Sequence, residues 1–492
     1  MYPLVRTTGV CIAAAALTAC TLAPRYERPP APVPREWPAD TATGQVESSS
    51  AKAVDQIGWQ EFIRDPRLVR LVRTALENNR NLRIAVLSVA ASEAQFRAQR
   101  GNLFPTISAS GTELAEKVPS NGGGGVTGIG GASGGGVPAP SAGVLRSYSA
   151  GIGFTNYELD LFGRQQSLTT QAFESYLAQS EARRSTQISL VAEVATGYFA
   201  VLADQALVQL TIETLRSETE SYELTRAMYE RDVTTLLSLR QAESAVDAAR
   251  ASLAQYRRQL AQDMHALALV LGQEVPADLI GPPDIYADEL LAEIPEGLPS
   301  DLLTRRPDIM GAEHSLRAAN ANIGAARAAF LPSIQLTASG GTQSNRLGDL
   351  FGRGTGTWSF SPAITLPIFA GGRNLAGLDL AHIEKNIAIA QYEATIQTAF
   401  REVSDALSAR GSYVEQRQAQ EALVAADAEA YRLAQMRFRS GVDSYLATLD
   451  AQRSLYAAQQ GLVSVRQAEL TNKVTLYKVL GGGWAQHAAP ES

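Results

Sequence analysis

Apolar and polar residues alternate with a period of two in four segments, which we predict to be strands at about 105–118, 145–161, 333–343 and 357–369. In the last segment one face carries apolar side chains: Trp358, Phe360, Ile364, Leu366 and Ile368. The other face carries Thr357, Ser359, Ser361 and Thr365. Such strands suit a water-filled membrane barrel with its apolar face towards lipid, and they suit equally a sheet that covers a soluble core.

Long segments without proline predict four helices at about 165–229, 235–271, 373–437 and 443–480. The first contains a single glycine, Gly197, and its 65 residues would extend roughly 98 Å if unbroken. In the second, apolar residues recur at spacings of three and four: Leu239, Ala242, Val246, Ala249, Leu253, Tyr256 and Leu260. The fourth has Leu455, Ala458, Leu462 and Val465 at equivalent positions. A heptad pattern in helices of this length predicts a coiled-coil bundle or the wall of a tube.

The chain is an internal duplication. Residues 81–107 match residues 308–334 at a difference of 227, and residues 193–272 match residues 402–481 at a difference of 209. The change of 18 (227 minus 209) coincides with a Gly-rich insertion at 121–136. Both repeats, 57–297 and 298–482, show the order helix, strand, loop, strand, long helix, turn, long helix. Four strands cannot close a wide barrel, so closure requires several copies of the chain.

The N-terminus has the pattern of a lipoprotein signal peptide at 1–19, with Leu17-Thr18-Ala19 before Cys20. This pattern resembles a bacterial lipobox, which would make Cys20 the lipidated, palmitate-bearing first residue of the mature chain. The alternative is an ordinary residue after a normal cleavage site. The resemblance to bacterial lipoproteins also implies a sorting rule, by which an aspartate at position 21 would favour retention in the inner membrane. By that rule Thr21 favours the outer membrane. Residues 20–56, rich in Pro and Ser, predict an extended tether, and 483–492 form a C-terminal tail.

Composition narrows the function further. The net charge of −7 disfavours a nucleic-acid partner, and no run of 18 apolar residues follows residue 20, so no helical membrane span is predicted. The histidines lack metal-ligand spacing: His265, His314, His382 and His487. Gly123, Gly125 and Gly128 formally match GxGxxG but lack a flanking strand and helix, so we predict a mobile hairpin loop. No metal, cofactor or enzymatic activity is predicted.

Several motifs resemble the outer-membrane factor family of tripartite efflux pumps, the TolC-like channels, and specifically its lipoprotein branch. The second repeat carries Leu298-Pro299, Leu302-Leu303, Arg306-Pro307-Asp308-Ile309, Ala312-Glu313, Ala319-Asn320-Ala321, Ile323-Gly324, Ala326 and Phe330-Leu331-Pro332. The first repeat carries Trp59, Phe62, Asp65, Leu68, Leu71, Ala75-Leu76 and Asn79. The strand-to-helix joints at 160–164 and 366–373 match as well.

The resemblance implies an α+β membrane protein, a homotrimer with a twelve-stranded β-barrel continued by a long α-helical coiled-coil tunnel in the periplasm. A smaller mixed domain would come from the connector at 273–297 and the chain ends. The implied partners are a periplasmic adaptor (membrane fusion) protein, an inner-membrane RND transporter and outer-membrane lipid. The implied function is a passive exit duct for small molecules such as drugs, without catalysis.

The resemblance also places the closed end of the tunnel at the turns between paired long helices. We predict that Phe438, Asp443 and Asp450 line this aperture, with the two carboxylates seven residues apart on one helix face. The alternative is that both are solvated, with Asp443 a helix N-cap. The turns themselves, at Asp232-Val233 and Gly441-Val442, are the predicted adaptor-docking tips. Where the family usually has glycine, Asp232 would have to adopt a positive φ.

Two other functions remain open. A duct of the same fold could serve type I protein secretion, although the lipobox and the Arg306-Pro307-Asp308 segment favour efflux. A trimeric surface adhesin or structural coiled coil would also use long helices. That alternative predicts a stalk along which each chain runs only once, whereas the duplicated hairpins predict a tube.

Overall fold

The computed structural model describes residues 21–34, 57–118, 143–276, 285–287, 290–294 and 306–483. Cys20, the signal peptide, the glycines of the GxGxxG match, the motif at 298–303 and the end of the tail lie outside the described residues.

The elements follow the predicted order in both repeats. The first repeat contains α1 (Trp59–Phe62), α2 (Pro66–Asn78), α3 (Arg80–Gly101), β1 (Ser108–Val118), β2 (Gly143–Leu159), α4 (Arg164–Tyr229) and α5 (Leu236–Leu271). The second contains α6 (Pro307–Ala328), β3 (Ser333–Ser344), a 3-10 turn (Leu347–Asp349), β4 (Gly356–Thr365), α7 (Arg373–Arg439) and α8 (Tyr445–Val479). The last strand is shorter than predicted, so Leu366 and Ile368 lie beyond its end.

The chain forms two compact units. The sheet unit comprises Glu93–Glu174 and Arg317–Asn386 with the N-terminal segment up to Glu27. The helical unit comprises Arg28–Ser92, Ser175–Leu316 and Ile387–Ser492.

The sheet is antiparallel, with strand order β1-β2-β3-β4. Its apolar face is open: Trp358 is 82% exposed and Ile364 is 71% exposed. Its other face carries small polar residues that bond across strands: Thr112 to Ser149 at 2.5 Å, Ser339 to Ser359 at 2.8 Å, and Gln343 to Ser147 at 3.0 Å. The sheet thus has one lipid-compatible face and one hydroxyl-rich face.

A β-bulge in β2 preserves this division of faces. The register with β3 shifts between Phe154 and Tyr157, and Asn156 adopts a φ of 55° while its backbone N–H donates to Thr337 Oγ1 at 3.2 Å. The extra residue returns Tyr157 to the apolar face after the interruption. Alternation alone does not reveal this bulge.

The segment predicted as a tether is fastened to α6. Arg327 donates to the carbonyl of Leu22 at 3.1 Å, and Asn320 donates to the carbonyl of Pro24 at 2.7 Å. A Cβ at Gly324 would lie 2.8 Å from the backbone nitrogen of Ala23. Within the helical unit, Arg28 pairs with Glu313 at 2.7 Å. These contacts give Glu313, Asn320 and Gly324 a structural role, which is to hold the extended N-terminal segment along one helix face.

Arg306 joins three parts of the helical unit. It is 7% exposed, and its guanidinium donates to Asp308 Oδ1 at 3.0 Å, to Glu402 Oε2 at 2.8 Å and to the carbonyl of Val479 at 2.9 Å. A buried arginine is tolerated because its donors are matched by acceptors. The start of α6 is therefore fixed against α7 and the end of α8.

The connector between the repeats pairs with the first repeat. Ile63 and Leu291 form an isolated antiparallel bridge, Ala292 N donates to Phe62 O at 2.8 Å, and Arg64 N donates to Leu290 O at 3.0 Å. The backbone of the connector is therefore bonded to the segment that follows α1.

Among the described residues, one helix, Arg164–Tyr229, has an 18-residue window apolar enough to cross a membrane, but 67% of that window is buried inside the chain. A buried core helix passes the same test, so this is weak evidence for a helical span.

Candidate functional site

The turns that join α4 to α5 and α7 to α8 have the same backbone geometry. We call them the first tip (residues 228–237) and the second tip (residues 437–446). Each is closed by two backbone hydrogen bonds, all of 2.9 Å: Asp232 N to Tyr229 O, Val233 N to Met228 O, Gly441 N to Phe438 O, and Val442 N to Arg437 O. The residue numbers of equivalent donors and acceptors in the two tips all differ by 209. The duplication therefore extends to individual hydrogen bonds.

Both tips need a left-handed residue. Gly441 has a φ of 71° and Asp232 has a φ of 59°. Helices commonly end with such a residue, usually glycine, and aspartate tolerates it better than most other residues. The predicted positive φ of Asp232 is confirmed, and the first tip keeps the turn despite lacking glycine.

Each tip presents apolar side chains outwards. Val233 and Leu237 of the first tip are 65% and 67% exposed, and Val442 and Leu446 of the second are 63% and 46% exposed. Apolar groups at the end of a helical hairpin, beside a turn that hydrogen bonds hold in place, form a small surface suited to a protein partner. The docking role of Asp232, Val233, Gly441 and Val442 stays a prediction.

Asp443 is tied to the second tip itself. Arg437 Nε lies 2.6 Å from Asp443 Oδ2, and Arg437 Nη2 lies 3.0 Å from Oδ1. This bidentate hydrogen bonding lowers the pKa of Asp443. Ser444 is the N-cap and α8 begins at Tyr445. The prediction that Asp443 and Asp450 share a helix face is therefore wrong, and so is the alternative in which Asp443 is the N-cap.

Phe438 is buried in the chain's own core. It is 9% exposed and packs with Ala242, Ala245, Tyr445 and Leu449. Its ring centroid lies 5.6 Å from that of Tyr445. Its side chain is therefore occupied in holding α5, α7 and α8 together at the second tip, and the prediction that it crowds an aperture is not supported by this placement.

Asp450 is exposed on α8. Tyr445 and Leu449, on the same helix, are 2% and 1% exposed and define its packed side. Asp450 lies five residues beyond Tyr445, which turns it well away from that side of the helix. Its carboxylate is thus available to solvent, a partner or another copy of the chain.

A stripe of buried polar residues along α4 was missed by the sequence analysis. Asp204, Thr211, Glu218 and Thr225 are between 0% and 7% exposed. They recur every seven residues, which places them along one side of the helix. Heptad spacing of polar residues was the available signal, but in a long helix that spacing more often marks a solvated face.

Two residues of this polar stripe are carboxyl groups with altered acidity. Burial raises the pKa of Glu218 to about 7, and the nearby charge of Arg453 only partly opposes this effect. Burial also raises the pKa of Asp204, as does its hydrogen bond with Asp263 on α5. Burial and a neighbouring negative charge both disfavour an ionised carboxylate. Glu218 and Asp204 therefore each favour the neutral acid more than an exposed carboxyl group does.

In the part of the chain that the structure describes, no group of three or more His, Cys, Asp or Glu side chains could hold a metal ion. Four other features described above have functional potential: the hydroxyl-rich sheet face, the two tips, the exposed Asp450 and the buried polar stripe.

Comparison with known proteins agrees with this geometry. The family model described as "Outer membrane efflux protein" matches residues 71–273 and 298–482, one segment for each repeat. The "Toluene efflux pump outer membrane protein TtgC" of Pseudomonas putida is 51% identical over 476 residues, covering 97% of this chain and 95% of that protein. The outer membrane protein OprJ of Pseudomonas aeruginosa is 42% identical, with 95% of this chain and 94% of OprJ covered.

Solved structures share the fold. A membrane protein from Pseudomonas aeruginosa has a TM-score of 0.85 at 41% identity, covering 94% of this chain and 100% of that one. The open state of the Neisseria gonorrhoeae MtrE outer membrane channel has a TM-score of 0.83 at 37% identity, covering 94% and 99%. These likenesses confirm the predicted fold class, a duplicated channel of strands and long helices, and the outer-membrane location. The chain belongs to the outer membrane efflux protein family.

Proposed function

We propose that this chain forms the exit duct of a tripartite efflux pump that carries small molecules such as drugs across the outer membrane. The observation that carries the proposal is the four-stranded sheet, whose exposed apolar face and hydroxyl-rich face suit a barrel wall between lipid and water. The related proteins named as efflux pump components favour efflux over protein secretion.

The barrel closes as a homotrimer. The sheet ends at β1 on one side and at β4 on the other. Unpaired strand edges are not tolerated in lipid, because no water is present to satisfy their backbone groups. Pairing β4 of one copy with β1 of the next gives twelve strands from three copies, and the hydroxyl-rich face then lines the pore.

The second tip holds the periplasmic aperture. In a trimer, the exposed Asp450 forms a ring of three carboxylates, which attracts cations and repels anions. Asp443 contributes through its bond to Arg437, which fixes the turn that precedes α8. Phe438 supports the same turn from inside the chain. The tips, through Asp232-Val233 and Gly441-Val442, dock a periplasmic adaptor that connects to an inner-membrane RND transporter.

Lipidation of Cys20 anchors the mature chain. Replacing Cys20 with serine should abolish labelling by a fatty-acid analogue while the barrel still assembles, since strand pairing is independent of the acyl chains. Labelling that persists in Cys20→Ser would show that the lipobox interpretation is wrong.

The function is tested by deleting the gene and measuring susceptibility to a panel of antimicrobials and solvents. We expect susceptibility to rise for several unrelated compounds and to return to the parent level when the intact gene is supplied. Secreted-protein profiles should not change. If susceptibility is unaltered while a secreted protein disappears, the duct serves type I secretion instead.

A further inference from the structure

Glu218 lies on α4 close behind the second tip, where a carboxylate is poorly accommodated. It is 4% exposed, and its Oε2 has no hydrogen-bond partner among the described residues. It is four residues before Tyr222, so the two side chains share a helix face, and Tyr222 packs against the core cluster of Phe438, Tyr445 and Leu449. Glu218 is therefore adjacent to the core that holds the tip.

The groups around Glu218 also have unused polar atoms. Tyr445 and Gln452 on α8 are 2% and 5% exposed, and within the described structure Tyr445 Oη and Gln452 Oε1 are both without a partner. Gln452 is located beside Glu218 by its bond to Ser217, Nε2 to Oγ at 3.4 Å. Ser217 in turn contacts Tyr431 Oη of α7 at 3.0 Å. Gln452 Oε1 can only accept a hydrogen bond, whereas the Tyr445 hydroxyl can accept or donate one, but neither group carries a positive charge that would neutralise a carboxylate.

We propose that Glu218 is a proton-binding site beneath the second tip: it is neutral while α4, α7 and α8 are packed there, and its ionisation loosens that packing. A protonated carboxyl can donate to a neighbouring acceptor such as Gln452 Oε1. On losing its proton to solvent, the same group becomes a buried anion whose Oε2 has no hydrogen-bond partner among the described residues, and a buried, poorly solvated charge is strongly disfavoured. Opening the packing to water relieves that cost.

The charges that face Glu218 do not remove this effect. On α8, Arg453 stabilises the anion but is exposed to solvent, and Tyr445 is neutral because burial and the neighbouring Glu218 raise its pKa. Tyr431 of α7 and Tyr222 of α4 itself are the other titratable groups nearby. On α5, Arg240 and Glu243 pair with each other at the surface. Desolvation of Glu218 remains the largest influence.

The duplication supplies a matched control. The residue 209 positions later is Asp427 on α7, a carboxyl that is only half-buried. Asp427→Asn removes a carboxylate from the corresponding place in the second repeat without removing the buried acid. Glu218→Gln keeps the shape of Glu218 and cannot ionise.

The test is amide hydrogen exchange of the full-length protein in detergent at pH 6 and pH 8, corrected for the intrinsic pH dependence of exchange. With a folded-state pKa of about 7 for Glu218, the opening equilibrium of peptides within 437–449 should increase about tenfold between these pH values. Glu218→Gln should abolish the increase, whereas Asp427→Asn should retain it. A carboxylic-acid C=O stretching band should be present in the parent at pH 6, weaken at pH 8 and be reduced in Glu218→Gln.

Two results would overturn the proposal. One is tip exchange that is independent of pH in the parent. The other is a pH dependence that Glu218→Gln leaves unchanged. If Glu218→Gln fails to assemble, the infrared measurement on Asp204→Asn decides the matter. That variant lacks the other buried acid with a raised pKa, so the absence of an acid C=O band at pH 6 would mean that Glu218 is a hydrated carboxylate and would overturn the proposal. These measurements use no adaptor and no transported compound. A negative result would therefore contradict the role of Glu218 without contradicting the efflux function, and a negative result in the susceptibility test would not affect the role of Glu218.

Discussion

At the scale of single residues, two acidic side chains near the second tip have different surroundings. Asp443 receives two hydrogen bonds from Arg437 and belongs to the turn, whereas Asp450 is exposed on α8. A carboxylate that is already paired attracts a mobile cation less than an unpaired one does. Asp450 is consequently the better candidate for an ion-selective ring, and Asp443 for holding the turn.

We therefore expect Asp450→Ala to raise single-channel conductance in planar bilayers and to weaken block by divalent or trivalent cations, since it removes three charges from the proposed aperture. Trimers should still form, because the packed side of α8, with Tyr445 and Leu449, is unchanged. Asp443→Ala is the comparison variant. It should act mainly on the turn, because it removes the partner of Arg437. If both variants, alone and combined, conduct and are blocked like the parent, the constriction must be sought near Asp232 and Glu243.

Asp204 should make stability depend on pH. Its pKa is raised in the folded state by burial and by its hydrogen bond to Asp263, so the folded chain binds a proton that the unfolded chain releases. Its stabilising effect is complete below its unfolded pKa and is lost as pH rises through the raised folded value. We expect Asp204→Asn to stabilise the protein at pH 8 by roughly 1–3 kcal/mol, and to do so little at pH 4. Denaturant titrations at both pH values measure this difference, and equal effects at the two pH values would contradict it.

At the scale of elements, the two helical hairpins use one turn design with different residues. Backbone hydrogen bonds at equivalent positions close both tips, and the left-handed position is aspartate in one and glycine in the other. Packing behind the tip also differs: Phe438 and Tyr445 of the second tip are 9% and 2% exposed, whereas the equivalent Tyr229 and Leu236 of the first are 38% and 50% exposed. The second tip is thus the more tightly packed of the two.

Gly441→Val should destabilise the second tip by about 1–2 kcal/mol, because a β-branched residue is strained at a φ of 71°. Asp232→Gly should leave the first tip intact, since glycine adopts that conformation without strain. Hydrogen exchange of the two tips in detergent measures both effects, with Val442→Ala as an exposed control. Equal protection of the second tip in Gly441→Val and the parent would show that the turn does not require glycine.

At the scale of the whole molecule, one chain is incomplete as a barrel. Its sheet exposes an apolar face and, among the residues that the structure describes, ends in two unpaired strand edges. Lipid can cover the face, but only further strands can satisfy the edges. Trimerisation and membrane insertion should therefore be inseparable.

Ile364→Arg should cost roughly 2–4 kcal/mol of barrel stability if the side chain lies near the midplane of the membrane. Ala363→Arg places the same charge on the opposite, hydroxyl-rich face and should cost much less. Unfolding titrations in lipid vesicles, with the oligomer measured by native mass spectrometry, compare the two variants. A folded monomer that stays soluble without detergent would contradict the obligatory trimer.

Properties encoded over short distances followed from the sequence alone. Alternation located the four strands, heptads and missing prolines located the long helices, and the repeat fixed their order. The positive φ at Asp232 was also predictable, since the equivalent position is Gly441 and only local backbone geometry is involved. Period, propensity and turn chemistry depend on neighbours in sequence, which is why these features could be read from the chain.

Only the tertiary structure decided which side chains are free to act. Phe438 is buried because α5 and α8 cover it, and Asp443 pairs with Arg437 because the turn brings residues six apart together. Glu218 resembles a solvated residue in sequence and becomes a buried acid only when α8 packs over α4. Burial, charge pairing and the resulting pKa depend on packing between distant segments. Periodicity predicts that a helix has a covered side, but it does not identify what covers each residue.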